Sequence, residues 1–322
     1  MRMPKKQVFL TTFFLAALLI LLQMSRVSAQ VENEGNKDTK KFLDNVVQSD
    51  VRAVELKAEK IHRNEKGFWE ADYGDGIKMV YIPKGEFEMG SNDGQNDEEP
   101  KHKVNLDAYW MGKTEVTVSQ FRAFVEVEKY VTEAEISDGA YILTGRKLEK
   151  KAGINWKDPG FKQEDNHPVV CVSWNDAVAY CKWLSGKKGV NFRLPTEAQW
   201  ERAAGGTGSR KYPWGNNEPD HTLANFGGKV GKTTRVGSYP GGASPYGLLD
   251  MAGSVWEWCY DNYGSYSPEP QKNPRGPGNG SNRVVRGSSW NFSAGSLRRA
   301  NRGLDRPSFR SDYIGFRLCQ DN

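Results

Sequence analysis

The sequence predicts a loop-rich fold of short strands and a few capped helices, not a helical bundle. Ten Trp and 34 Gly in 322 residues suit irregular chain held together by aromatic packing. From Phe68 onward the apolar runs are short and end at Gly, Pro or Asn, as strands bounded by turns do. Only three later segments open with the hydroxyl-plus-amide or hydroxyl-plus-acid spacing that starts a helix.

The chain divides into three parts. Residues 1–29 read as a signal peptide: Lys5 and Lys6 precede an apolar run from Val8 to Leu22, and Val27-Ser28-Ala29 offers small residues for cleavage. That run is short for a membrane span, and no cysteine follows the cut, so no lipid anchor is indicated. The mature chain is then exported, periplasmic or secreted, with an uncleaved anchor as the alternative. Residues 30–66 form a helix or linker, because Leu43, Val47, Val51, Val54, Ala58 and Ile61 make one apolar stripe at helical spacing. It could dock on the main domain or on a partner helix. Residues 67–322 are the main domain.

Within that domain Met79–Ile82, Phe87–Gly90 and Val104–Met111 read as strands. Helices start at Thr117, Ser173 and Thr196, with Gln120, Asp176 and Gln199 three residues on as capping partners. Residues 127–166 read as an irregular insertion, and the region after Trp214 as mostly loops. Arg283–Trp290 is a strand running into a turn, and Ile314–Cys319 is the last strand. No internal repeat is visible.

The stretch from Tyr246 to Cys259 fits neither a helical nor a strand period. It combines Trp256, Trp258, Gly247, Gly253, Asp250 and Glu257. Its carboxylates and turn carbonyls suit a hard cation such as Ca²⁺, which takes oxygen ligands. They equally suit capping of buried backbone N–H groups. The net charge of +5 is spread without a basic stripe, so nucleic acid is not expected as a partner. The four cysteines, Cys171, Cys181, Cys259 and Cys319, permit disulfides in three connectivities, and Cys171 reads equally as a buried free thiol. No C-x-x-C is present. Glu197 and Glu201 open a helix, where acids favour the dipole, and so do not by themselves suggest acid–base catalysis. His167, before a proline, reads as structural.

Taken in order, eight blocks resemble the sulfatase-modifying-factor family, founded on the formylglycine-generating enzyme. They are Met79–Gly90, Lys113–Phe121, His167–Leu184, Arg193–Ala204, Tyr212–Asn216, Tyr246–Trp258, Arg286–Trp290 and Gly315–Leu318. The resemblance implies a single α+β domain of formylglycine-generating-enzyme fold, C-type-lectin-like, with little regular secondary structure. It implies a structural Ca²⁺ held by the Asp250 and Glu257 side chains and the Gly253 and Val255 carbonyls. A second family site would begin at Asn225 and Phe226, but its acidic ligand has no match in the short basic segment Gly227–Val236. It also implies a disulfide between Cys181 and Cys319. Family oxidases bind copper through two cysteines, and those positions here fall on Phe292 and Leu297. Copper is therefore not expected, since soft thiolates suit Cu(I) and neither side chain offers a donor.

Two functions follow from the resemblance. One is an exported enzyme or maturation factor acting on a protein or peptide, with altered or lost oxidase chemistry. Its pocket would be built from Trp256, Ser289, Trp290, Phe292 and Arg302. The other is a non-enzymatic lectin-like binding module of an envelope or secretion assembly. An active oxidase with a non-standard site is a third expectation.

Overall fold

Residues 57–144 and 147–322 are described by a computed structural model. The predicted signal peptide and most of the helical stripe lie outside the described residues. The stripe's last position, Ile61, is not helical: it lies in strand β1 (Lys60–Arg63), which pairs with β2 (Trp69–Asp72). The main domain therefore begins before Gly67.

A six-stranded antiparallel sheet is ordered β1-β2-β3-β6-β15-β9. Its remaining strands are β3 (Lys78–Ile82), β6 (Tyr109–Gly112), β9 (Phe192–Arg193) and β15 (Cys319–Asp321). A three-stranded sheet holds β4 (Gly85–Met89), β5 (His102–Leu106) and β11 (Gln271–Lys272). A four-stranded sheet is ordered β13-β12-β10-β14, with β10 (Trp256–Asn262), β12 (Arg283–Arg286), β13 (Arg302–Asp305) and β14 (Ile314–Gly315). β14 runs parallel to β10. Hairpin β7 (Ala140–Thr144) and β8 (Lys147–Lys151) stands apart.

Two expected strands are each split between sheets. Val104–Met111 becomes β5 and β6, separated at Asp107, whose backbone N–H and carboxylate both bond the Asn273 side chain. Ile314–Cys319 becomes β14 and the start of β15, and Phe316, Arg317 and Leu318 bridge the two sheets fully buried. In both cases the chain changes sheet where a polar side chain is held by a long-range partner. Part of the presumed irregular insertion also folds: helix α2 (Glu133–Ile136) is capped by Thr132, whose N–H and hydroxyl both bond Glu135.

The three expected helices form as α1 (Val118–Glu128), α3 (Trp174–Lys188) and α4 (Glu197–Gly205). Each carries a reciprocal capping box, including the Ser173–Asp176 pair. Such caps contribute about 1 kcal/mol each. Helix α4 is buried all round and packs on β4, β10 and β12. The core it joins includes Trp200, Leu248, Met251 and Val284.

No disulfide joins Cys181 to Cys319. All four cysteines are free and buried, and the Cys319 thiol faces Gln199 of α4 at 3.5 Å.

Candidate functional site

The stretch from Tyr246 to Cys259 is a loop that runs into β10, the strand between β12 and β14. Two left-handed residues, Asp250 (φ 56°) and Ser254 (φ 63°), flank Gly253 (φ 77°). A Cβ on Gly253 would stand 2.3 Å from the Asn225 carbonyl oxygen, so only glycine fits there. The Gly253 N–H donates to Gly287, Ser254 donates to Asn225, and Trp290 donates to Ser254. The loop thereby fastens the turn after β12 and the segment at Asn225 to one another.

Strand alternation then sends neighbouring side chains opposite ways. Glu257 points inward and is fully buried. Its carboxylate accepts from Arg317 at 2.5 and 2.6 Å and from the Trp200 indole at 2.8 Å. Arg317, also fully buried, gives its remaining donors to the Gly112 and Leu249 carbonyls. Glu257 is thus the counter-ion of an arginine and accepts three hydrogen bonds, two at Oε2 and one at Oε1.

Two other buried acids adjoin this pair. Asp250 accepts from the Gly237 N–H at 2.5 Å. Glu115 is 1% exposed, and neither of its oxygens meets a donor. Burial pushes the Glu115 carboxyl well above the usual carboxylate range, and the neighbouring Asp250 raises it further. Burial likewise raises Asp250. An orphaned buried carboxylate beside a second acid is what a bound cation would satisfy. Among the described residues no group of three or more His, Cys, Asp or Glu is placed to hold a metal ion. A cation here would therefore draw on main-chain carbonyls as well as Glu115 and Asp250, and the donor set fits Ca²⁺ on those terms. At the expected second site, Asn225 Oδ1 is buried without a partner, while Phe226 stacks on His221 at 4.4 Å. A single orphaned side-chain oxygen followed by Lys229 and Lys232 makes no comparable site.

On the other side of β10, Trp256 opens onto a cleft of about 310 Å³ lined also by Phe292, Tyr313, Arg302 and Asp305. Of the expected pocket residues, Trp256, Phe292 and Arg302 come together in this cleft. Ser289 and Trp290 do not line it: both are buried, Ser289 bonding Asn291 and Trp290 donating to the Asp312 carbonyl. Leu297 is 1% exposed and packs with Tyr212, Ala224, Phe226 and Ala252. Phe292 and Leu297 therefore face different surroundings, one the cleft and one a core.

Arg302 is neutralised from behind. Its guanidinium binds both oxygens of Glu197 at 2.6 and 2.9 Å and lies 3.9 Å over the Tyr266 ring. Arg286 pairs with Glu201 at 2.5 Å. Both acids that open α4 are thus counter-ions of buried arginines. Among the described residues Asp305 has no such partner, and burial pushes its carboxyl up to about 7. His167 bonds Thr233 and is structural. Glu115, Tyr313 and Asp305 carry no signal of their own in the sequence: Glu115 lies in the Lys113–Phe121 block, Tyr313 stands two residues before Gly315–Leu318, and Asp305 lies outside every block.

The family model for the sulfatase-modifying factor enzyme 1-like domain matches residues 68–322. The serine/threonine-protein kinase pkn1 of Chlamydia pneumoniae is 39% identical over 254 residues; the match covers 76% of this chain but only 38% of that protein. The mouse formylglycine-generating enzyme is 35% identical over 286 residues, covering 76% of this chain and 75% of that protein. The bovine protein named inactive C-alpha-formylglycine-generating enzyme 2 is 34% identical, covering 79% of this chain and 91% of its own. Among solved structures, PvdO from Pseudomonas aeruginosa is 28% identical with a TM-score of 0.65, covering 83% of this chain and 99% of that one. The α+β fold, mostly sheet with few helices, agrees with that likeness. On the extent of the domain match and of the identity to formylglycine-generating enzymes, the chain belongs to the sulfatase-modifying factor enzyme 1-like family.

Proposed function

We propose that this chain is an exported binding protein of the family, which keeps the scaffold and cleft without the copper–thiolate oxidase site. It would hold a segment of a partner protein or peptide in the cleft beside Trp256. One observation carries this reading: the copper-cysteine positions are Phe292, whose ring walls the cleft, and Leu297, which is core. No sulfur elsewhere compensates. All four thiols are buried, and burial raises each one, Cys319 to about 11, away from the thiolate that binds metal. The name of the bovine inactive relative is in keeping with a family branch that lacks the oxidase reaction. Calcium enters as a structural ion, supported by the orphaned Glu115 beside Asp250. Export is supported by the basic, apolar and small-residue order of residues 5–29.

The test is an anaerobic Cu(I) titration of the purified chain, followed by O₂ uptake with a cysteine-containing sulfatase-motif peptide. Neither tight one-to-one copper binding nor peptide-dependent O₂ consumption is expected. Both together would overturn the reading and point to an oxidase with a non-standard site.

A further inference from the structure

We propose that the cleft beside Trp256 is a cage for a basic side chain, walled by Trp256, Phe292 and Tyr313 with Asp305 as the counter-charge. The inference rests on reading the cleft as a site for a protein segment, and it names what that segment must present.

The rings are set as walls. Phe292 stands 5.6 Å from Trp256 at 84° and 5.6 Å from Tyr313 at 66°. They meet edge to face in direct contact, so the three rings make one continuous aromatic wall, and the open space is the cleft in front of it. Gly303 makes room for the indole: a Cβ there would lie 2.8 Å from Val285 and 3.3 Å from the Trp256 ring. At about 310 Å³ the cleft is at the small end of ligand sites, a size for one side chain and not for a large cofactor. Aromatic faces attract cations, most strongly where water is excluded.

Asp305 supplies the sign. Among the described residues no donor or cation engages its carboxylate, and burial alone accounts for its raised pKa. It is close enough to Tyr313 to help hold that phenol up at about 12, after burial itself. Arg302 shares the lining, but its charge is met by Glu197 and its plane by Tyr266. A half-buried acid without a partner costs free energy that an incoming ammonium or guanidinium would recover. An anion or a neutral apolar side chain would leave that cost in place. Asn301, Ser296 and Gln95 also line the cleft and offer polar groups to the backbone of the bound segment.

The experiment is selection of a random heptapeptide phage library on the full chain, with Asp305→Asn and Phe292→Leu in parallel. Both variants keep the volume near that of the original side chain. Enrichment of peptides carrying Lys or Arg is expected. The affinity of a selected synthetic peptide should fall about tenfold on Asp305→Asn, and roughly threefold on Phe292→Leu, which removes one aromatic wall. Peptides selected without a basic residue, or binding indifferent to Asp305→Asn, would overturn the cage while leaving a peptide site standing. Failure to select any peptide would overturn the peptide reading, and the cage with it.

Discussion

The two sides of β10 treat charge in opposite ways. Behind the strand, Glu257 and Arg317 are both fully buried and almost every donor and acceptor between them is used. In front, Asp305 lines a cleft with Trp256, Phe292 and Tyr313, and among the described residues no donor engages its carboxylate. Paired buried charges hold a fold in one arrangement, whereas an unpaired one at a cleft marks where a ligand has something to gain. Glu115 breaks the pattern, being behind the strand yet orphaned, and that orphaned carboxyl is what supports the calcium proposal.

The contrast is broken most severely by Arg317→Met. It leaves the Glu257 carboxylate buried with only the Trp200 indole, and removing one partner of a buried pair costs about 3–5 kcal/mol. Guanidinium unfolding should read that loss. A change under about 1 kcal/mol would mean that water reaches Glu257 and that the two sides of β10 are alike.

Leu297 and Phe292 sharpen the comparison within the turn that follows β12. Leu297→Ala empties a buried position and should cost about 2–4 kcal/mol. Phe292→Ala, at a half-buried cleft wall, should cost clearly less while weakening peptide binding. Equal losses in denaturant midpoint would show that Phe292 is core as well.

Calcium should act from behind the strand and not from in front. If the loop holds Ca²⁺ at about 100 times its Kd, the ion adds about 2.7 kcal/mol, so EGTA should lower Tm by roughly 5–10 °C. Glu115→Gln should shrink that EGTA effect, and Asp305→Asn should leave it intact. An EGTA-insensitive Tm in the parent chain would remove the ion from the loop.

What the sequence disclosed was local. The capping boxes at Thr117, Ser173 and Thr196 lie within three residues of each helix start, so each helix could be read directly, and the short strands ending at Gly and Pro likewise. Trp256 lies inside one recognisable block and Phe292 just after another, whereas Arg302 stands in none. The rest depends on distant partners. That Glu257 belongs to Arg317 involves residues 60 apart, and the Arg302–Glu197 pair spans 105. Neither is visible in a window of local pattern. Where Val104–Met111 splits between two sheets, Asp107 bonds Asn273, 166 residues away, and the free Cys319 thiol meets Gln199, 120 residues away. Ser289 and Trp290 follow a tight turn at Gly287 (φ 97°) and Ser288 (φ 67°) and are buried outside the cleft that Phe292 lines, a local backbone path that no residue pattern announces.

The smallest effect is the most specific to the front of the strand. In the folded chain Asp305 titrates at about 7, against about 3.9 when unfolded. Between those values the folded state holds a proton that the unfolded state has released, so stability falls as pH rises through that window. Below about pH 4 both states are protonated and the penalty is absent; above about 7 it is complete. Asp305→Asn removes it. Because the group is partly exposed, solvent screens much of the effect, and about 1 kcal/mol is expected to remain, near 2–4 °C in Tm. The variant should therefore melt above the parent at pH 8 and together with it at pH 4. A bound lysine peptide should erase the difference at pH 8, because the cation then meets the acid that asparagine removes. If the variant melts no higher than the parent at pH 8, Asp305 already has a partner, and the front of β10 is as fully paired as the back.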